Sequence, residues 1–284
     1  ALLAAFNAAP SLEFTEQIEE AAEDVADWER ILQAYKEIRE SDGDESLTEL
    51  AYRMGDILNL KLQRPKDAAS HYQEGLDFEF PAEESLMARV ESLFRQLEDT
   101  KGLATYLEGH LKSGLEGKKR IDSLKEVSEL LFRALGREDE ALEYYRELLG
   151  LGESGIEVLR PLEEILRAKD RHEEHLDILD RLIEMGYSNP ELLEDYIRKA
   201  KTLEALSRED EAFKTYRSAL LKKREFAPAI EGLEAMADKG VHIFEVAQAL
   251  EPIYTARQDH EKLADILLKR VEVTDNRPKR KALL

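Results

Sequence analysis

The chain has 284 residues, no cysteine, and 62 acidic against 41 basic side chains, for a formal charge of −21. That balance argues against a nucleic-acid partner, because phosphate-backbone affinity rests on lysine and arginine displacing counterions. The missing thiols exclude thiol nucleophiles, disulfides and cysteine metal sites. No apolar run approaches the roughly 20 residues that cross a bilayer, and Ala1-Leu2-Leu3-Ala4-Ala5-Phe6 lacks the basic lead of a signal peptide. No membrane insertion is expected; the compartment is unassigned, with the cytoplasm favoured. The acid is uneven: residues 213–284 hold 14 Lys/Arg and 11 Asp/Glu, leaving −24 for residues 1–212.

In chain order, Ala1 to Pro10 reads as the tail of a helix, with Pro10 where a new unit starts. Six related lines follow, centred on Ile31, Ala68, Leu103, Ala141, His175 and Ala212, at steps of 37, 35, 38, 34 and 37 residues. The alanine-centred lines are most alike: Arg64 to Tyr72, Arg137 to Tyr145 and Arg208 to Tyr216 each run from arginine through acidic residues and alanine to tyrosine. The unit is therefore about 36 residues with a superperiod of two, and repetition on this scale means a stacked array. Each unit reads as two amphipathic helices. Ile121, Leu124, Val127, Leu130 and Leu131 recur at helical spacing, Gly136 interrupts, and Ala141, Leu142, Tyr145, Leu148 and Leu149 resume it.

Pro65, Pro81, Pro190, Pro228 and Pro278 stand just ahead of periodic segments, where a missing amide costs nothing, and Asn189 is a candidate cap. Pro161 and Pro252 fall inside first helices and predict a kink or a late start. The small alanine lets two helix axes approach to about 8 Å, with the tyrosine one turn on filling the adjacent gap. From Ala212 to the next equivalent residue, Leu263, is 51 residues. The surplus predicts an extra short helix, Pro228 to Asp238, stopped by Gly240, before a first helix from Val241 to Ala256. The expected organisation is thus an array of six hairpins over 1–225, the first partial, a seam at 226–241, and over 242–284 a further hairpin with the start of another, Pro278 to Leu284 reading as the first turns of its first helix. Neither end carries a polar cap, which suggests an excerpt from a longer array or ends that a partner covers.

The chain at this point resembles the tetratricopeptide repeat family. Its small, aromatic and second small or hydrophobic positions match Ala68/Tyr72/Gly75, Ala141/Tyr145/Leu148 and Ala212/Tyr216/Ala219, with Gly136 at the turn. The first-helix tryptophan, leucine and glycine are mostly missing, Gly55 being the nearest survivor. The resemblance implies an all-α, right-handed superhelical solenoid of about seven antiparallel hairpins plus the extra helix, and a role in protein binding. It also implies that first helices line a concave groove, at positions held here by Arg53, Ile57, Leu60, Arg95, Leu130, Arg133, Arg160, Arg167, Ile197 and Lys201. Arginines there suit an acidic or carboxylate-bearing partner segment. A carboxylate clamp of the family's kind is not matched, since Ile57 stands where the clamp's asparagine would be.

Other chemistry is weaker. His172 and His175 share a helix face at i, i+3 but lack the zinc-protease spacing, and His175 occupies the alanine slot, so a structural histidine is expected. Gly114-Leu115-Glu116-Gly117-Lys118-Lys119 lacks the spacing of a phosphate loop and reads as a turn. Acid pairs such as Glu19-Glu20, Glu83-Glu84 and Glu163-Glu164 read as exposed faces. The regularly spaced tyrosines read as core. No cofactor and no enzymatic activity are expected. The function expected is a non-catalytic scaffold whose groove binds a segment of a partner protein; the alternative is self-association through uncapped ends.

Overall fold

A computed structural model describes Thr15, Gln17, Glu19, Glu20 and residues 27–41 and 47–273. The helical ends expected at residues 1–10 and 278–284, and with them the question of caps, lie outside the described residues. The described residues contain helices and turns and no strand. They group into two compact units, Ala1–Gly152 and Glu153–Leu284.

The first unit contains α1 (Trp28–Ser41), α2 (Leu47–Asp56, prolonged by a π-helical turn, Ile57–Lys61) and α3 (Pro65–Phe78). After them come α4 (Glu84–Gln96), α5 (Thr100–Lys112), α6 (Gly117–Glu129, prolonged by a π-helical turn, Leu130–Ala134) and α7 (Glu138–Gly150). The second unit contains α8 (Ile156–Ala168), α9 (His172–Glu184), α10 (Leu192–Ala205), α11 (Glu209–Lys222), α12 (Ala227–Asp238), α13 (Ile243–Arg257) and α14 (His260–Glu272).

The sequence register sets the helix boundaries. Helices α1, α3, α5, α7, α9, α11 and α14 each start three residues before Ile31, Ala68, Leu103, Ala141, His175, Ala212 and Leu263 respectively. Two residues earlier the chain turns through the left-handed region, at Gln63, Glu98, Gly136, Asp170, Ser207 and Gln258. Only one of these is glycine, so five side chains accept a strained backbone to close the hairpin. The turn recovers part of that cost by bonding the end of the first helix. In the α4–α5 turn, for example, Glu98 N donates to Arg95 O and Asp99 N to Phe94 O, the reciprocal pattern that satisfies orphan carbonyls.

Second helices start in two ways. Asp99 and Asp259 cap α5 and α14 by accepting the amides of Gly102 and Lys262. In the alanine lines and the His175 line an arginine holds that place, and Arg64, Arg137, Arg171 and Arg208 pair with Asp67, Glu140, Glu174 and Glu211 three residues on. Arg64, Arg137 and Arg208 also reach the preceding second helix, at Glu29, Glu108 and Glu173. The recurring arginine-to-acid line is a clasp between neighbouring repeats.

Ala68, Ala141 and Ala212 are fully buried, as are Tyr72, Tyr145 and Tyr216 one turn later. Space for the tyrosine rings comes from facing glycines: a Cβ on Gly55 would lie 2.4 Å from Tyr72, and one on Gly232 would lie 2.4 Å from Tyr216. The buried Tyr52 hydroxyl donates to the Glu79 carbonyl at 2.6 Å, and five others find a carboxylate. Tyr35 donates to Glu19 at 2.7 Å, Tyr145 to Glu129 at 3.0 Å and Tyr216 to Glu204 at 2.8 Å, while Tyr72 and Tyr254 donate to Asp56 and Glu234. Burial, and then these carboxylates, push the phenols up.

The prolines behave in two ways. Pro65 and Pro228 sit in the first turns of α3 and α12, as expected. Pro161 and Pro252, however, lie within α8 and α13, which begin at Ile156 and Ile243; neither proline delays its helix. The extra helix expected from Pro228 to Asp238 is α12, followed by Gly240 at φ 82°. Its buried residues Ala229, Ile230, Leu233, Met236 and Ala237 join one core with side chains of α10, α11 and α13. Residues 226–241 are therefore packed inside the second unit.

Candidate functional site

A regular α-helix bonds each amide to the fourth residue back. At the end of α2 the winding loosens, so that Leu62 N reaches Ile57 O and Arg64 N reaches Leu58 O. One extra residue enters the turn, which re-aims the side chains of residues 57–61; such turns are frequent at functional sites. Beside it lies a cleft of about 510 Å³ lined by Glu19, Glu20, Trp28, Arg53, Asp56, Ile57, Leu60 and Lys61. Trp28 and Ile57 are buried and form its apolar base, whereas Leu60 is 50% exposed at its rim.

Charge is arranged around that base in pairs. Arg53 Nε donates to Glu49 Oε1 at 2.9 Å and its Nη1 to Glu19 Oε2 at 3.3 Å. Burial works against the Arg53 charge, but these carboxylates outweigh it and raise its pKa. Asp56 accepts two bonds from Arg89, at 3.0 and 2.9 Å, as well as the Tyr72 hydroxyl. Lys61 Nζ stands 4.9 Å from the centroid of the Trp28 ring, a cation–π contact.

Of the ten candidate groove residues, the structure brings Arg53, Ile57 and Leu60 together in this cleft. Leu130 and Arg133 fall in the other π-helical turn, with the Arg133 guanidinium 4.4 Å over the Phe132 ring and 3.7 Å from Glu129. Arg95, on α4, bonds Glu91 on its own helix and both carboxylate oxygens of Glu126 on α6. The Glu126 bonds, against burial, raise its pKa. In the second unit Ile197 is buried on α10 and Lys201 is exposed. Arg160 and Arg167, on α8, join a polar network described next. Each of these arginines is already held by a carboxylate of the chain.

That network is built around the register. His175, in the slot that alanine fills elsewhere, is 2% exposed; its Nε2 lies 2.9 Å from Glu163 Oε1 and its Nδ1 3.1 Å from Thr202 Oγ1. Arg160 forks onto Asp195 at 2.7 and 2.9 Å, and Asn189 Nδ2 donates to Asp195 at 2.7 Å. Burial alone would raise Glu163 and Asp195. The bond from His175 with the charges of Arg167 and Arg198 at Glu163, and the bonds from Arg160 and Asn189 at Asp195, hold both below their ordinary values. Glu163, expected on an exposed face, is 1% exposed. Asn189 does act at the start of α10, accepting the amide of Glu191 at 3.0 Å. Gly114 and Gly117 fall at the turn between α5 and α6 with left-handed backbones. Among the described residues no group of three or more His, Asp or Glu could hold a metal ion, and no helix is long and apolar enough to cross a membrane.

Sequence reasoning missed Trp28, Lys61, Glu19, Glu20 and Asp56 as lining residues. A signal was present in Trp28, the chain's single tryptophan, which starts a second helix where the other lines carry Pro65, Thr100, Glu138, His172, Glu209 and His260.

No protein-family model matches the chain, and no curated protein matches it. Similar solved structures are distant. YrrB, described as a TPR protein with an unusual peptide-binding site, is 16% identical over 70% of this chain and 97% of its own, with a TM-score of 0.39. The C-terminal part of a TPR repeat-containing protein from Cytophaga hutchinsonii is 10% identical over 94% and 98%, at 0.38. A chain in the structure of Naa15/Naa10 bound to HypK-THB is 16% identical over 92% of this chain and 44% of its own, at 0.44. Among the described residues, seven second helices start in one register and six turns of one kind close hairpins, so that each unit is built of tetratricopeptide-like helix pairs.

Proposed function

We propose that the protein is a non-catalytic scaffold that holds a segment of a partner protein, and that the cleft beside the α2 π-turn is where the segment is held. The observation that carries this reading is the convergence of an open volume, an apolar base of Trp28 and Ile57, a half-exposed Leu60 and a ring of charged groups on one irregular turn. An apolar anchor ringed by polar groups is the composition of binding hot spots. No pair of titratable groups in the cleft is set up as acid and base: Glu19 and Asp56 are tied to arginine and tyrosine, Glu20 is exposed, and a nucleophile with an adjacent base is lacking among its lining residues.

A photoreactive residue at position 60 of the intact protein tests the reading. The expected result is a discrete adduct with a partner polypeptide, absent when the same residue replaces Tyr187, which is 97% exposed on another helix edge. Equal labelling from both positions, or none from position 60, would count against it.

A further inference from the structure

The charges around the cleft specify the segment, given the reading that one is held there. An acidic segment would need free cations. Arg53 is bonded to Glu49 and Glu19, Arg89 is doubled onto Asp56, and Lys61 stands over the Trp28 ring. An incoming carboxylate must displace one of the chain's own before it gains an equivalent bond, and it approaches a region where residues 1–212 carry −24.

A cation meets the opposite situation. Glu20 lines the cleft and is exposed. A carboxylate offers about four acceptor sites, and at Glu19 the Tyr35 hydroxyl and Arg53 occupy two of them. An arriving ammonium or guanidinium can therefore bond Glu19 and Glu20 without evicting anything. The apolar part of the lining, Trp28, Ile57 and Leu60, lies directly beside those acids, so the complementary segment carries a hydrocarbon side chain next to its cation.

We infer that the cleft is a docking site for a basic segment of a partner protein, with a lysine or arginine on Glu19 and Glu20 and a neighbouring aliphatic side chain against Ile57 and Leu60. The expectation of an acidic partner rested on arginines without partners, and the ion pairs remove that basis.

Selection of a random peptide library on the immobilised full chain tests this inference. Glu20→Lys and Leu60→Ser serve as companions, both altering exposed side chains that the fold does not need. Enriched peptides are expected to carry Lys or Arg beside Leu, Ile or Val. Their affinity should fall about threefold with Glu20→Lys, as for an exposed charge pair, about fivefold with Leu60→Ser, and further as salt is raised. Enriched peptides that are acidic or uncharged, yet weakened by Leu60→Ser, would overturn the basic-segment inference while leaving the segment-holding reading intact. No enrichment, or enriched peptides indifferent to both substitutions, would overturn the two together.

Discussion

The two units use the same register to opposite ends. In the first, position 141 of the register is alanine, the tyrosine beyond it places its hydroxyl on Glu129 of the preceding helix, and among the described residues no charged side chain is fully buried. In the second, position 175 is histidine, and the polar chemistry is drawn inward: His175, Glu163, Asp195, Asn189 and Thr202 are all buried and bonded to one another or to Arg160. A polar core residue is thus accommodated where its partners come from the helices on either side, Glu163 on α8 and Thr202 on α10.

Exchanging the two slots breaks the comparison most severely. His175→Ala restores the residue of the alanine lines but leaves the Glu163 carboxylate, 1% exposed, without its closest partner. The expected loss is about 3 kcal/mol, read from the urea midpoint. Ala141→His forces a ring into a fully buried alanine site without polar partners and should cost about as much. Combining His175→Leu with Glu163→Leu removes the buried pair as a whole and should recover most of the stability. If His175→Ala alone is neutral, the network does not hold the second unit.

Acid titration sharpens the contrast because carboxylates of the two units are shifted in opposite directions. Glu163 and Asp195 are held below their ordinary values of 4.5 and 3.8. Their stabilisation is fully present above those values and is lost as pH falls through the depressed ones. Glu108, on α5, is raised above 4.5, chiefly by burial with the Arg137 charge opposing. Protonation of Glu108 relieves a cost in the folded state, so stability around it grows as pH falls through its raised value toward 4.5. Hydrogen exchange at pH 6, 4.5 and 3 should show protection of α5 holding or rising at the first step, and protection of α8 to α10 collapsing only at the second. Simultaneous loss in both regions would contradict the assignment.

The hairpin turns give an intermediate effect. Gly136 sits at φ 65° and Ser207 at φ 55°, in equivalent turns of the two units. Gly136→Ala should destabilise by about 1 kcal/mol, whereas Ser207→Gly should be neutral or gain about 0.5 kcal/mol, both by thermal unfolding. Effects of equal sign would show that the turns are not equivalent.

Much of this architecture is legible in the sequence because it follows from local chemistry at a fixed step. The alanine-to-tyrosine interval, the glycine at 136 and the proline at 228 each dictate a backbone feature within a few residues, and the helix starts follow them without slippage. Pro161 and Pro252 do not bring the late start that was one of the two outcomes expected of them, because each helix runs through its proline, which the surrounding apolar stripe can enforce against propensity. The candidate site was half visible. Arg53, Ile57 and Leu60 were implied by the family resemblance applied to the register, but the π-helical turn depends on a loosened amide bond that leaves no periodic trace. The state of the arginines also depends on acids some 30 residues away, as with Arg95 and Glu126 or Arg53 and Glu19.

The smallest expected effects lie at the exposed ion pairs of α4 and α6. Arg95 and Glu126 have side chains 43% and 35% exposed, and Arg133 is 46% exposed beside Glu129. Screened by solvent, each pair is worth about 0.5 kcal/mol or less, so Arg95→Gln and Arg133→Gln should leave the unfolding midpoint nearly unchanged. The same substitutions do change charge: each uncovers carboxylate that an arginine had neutralised, at Glu91 and Glu126 in one case and Glu129 in the other. Because each pair adds so little stability, the charge carried by α4 and by the π-helical turn after α6 can be changed without changing the fold. A loss above about 1.5 kcal/mol for Arg95→Gln would place that arginine in the structural frame instead, on a par with Arg160 and its fully buried Asp195.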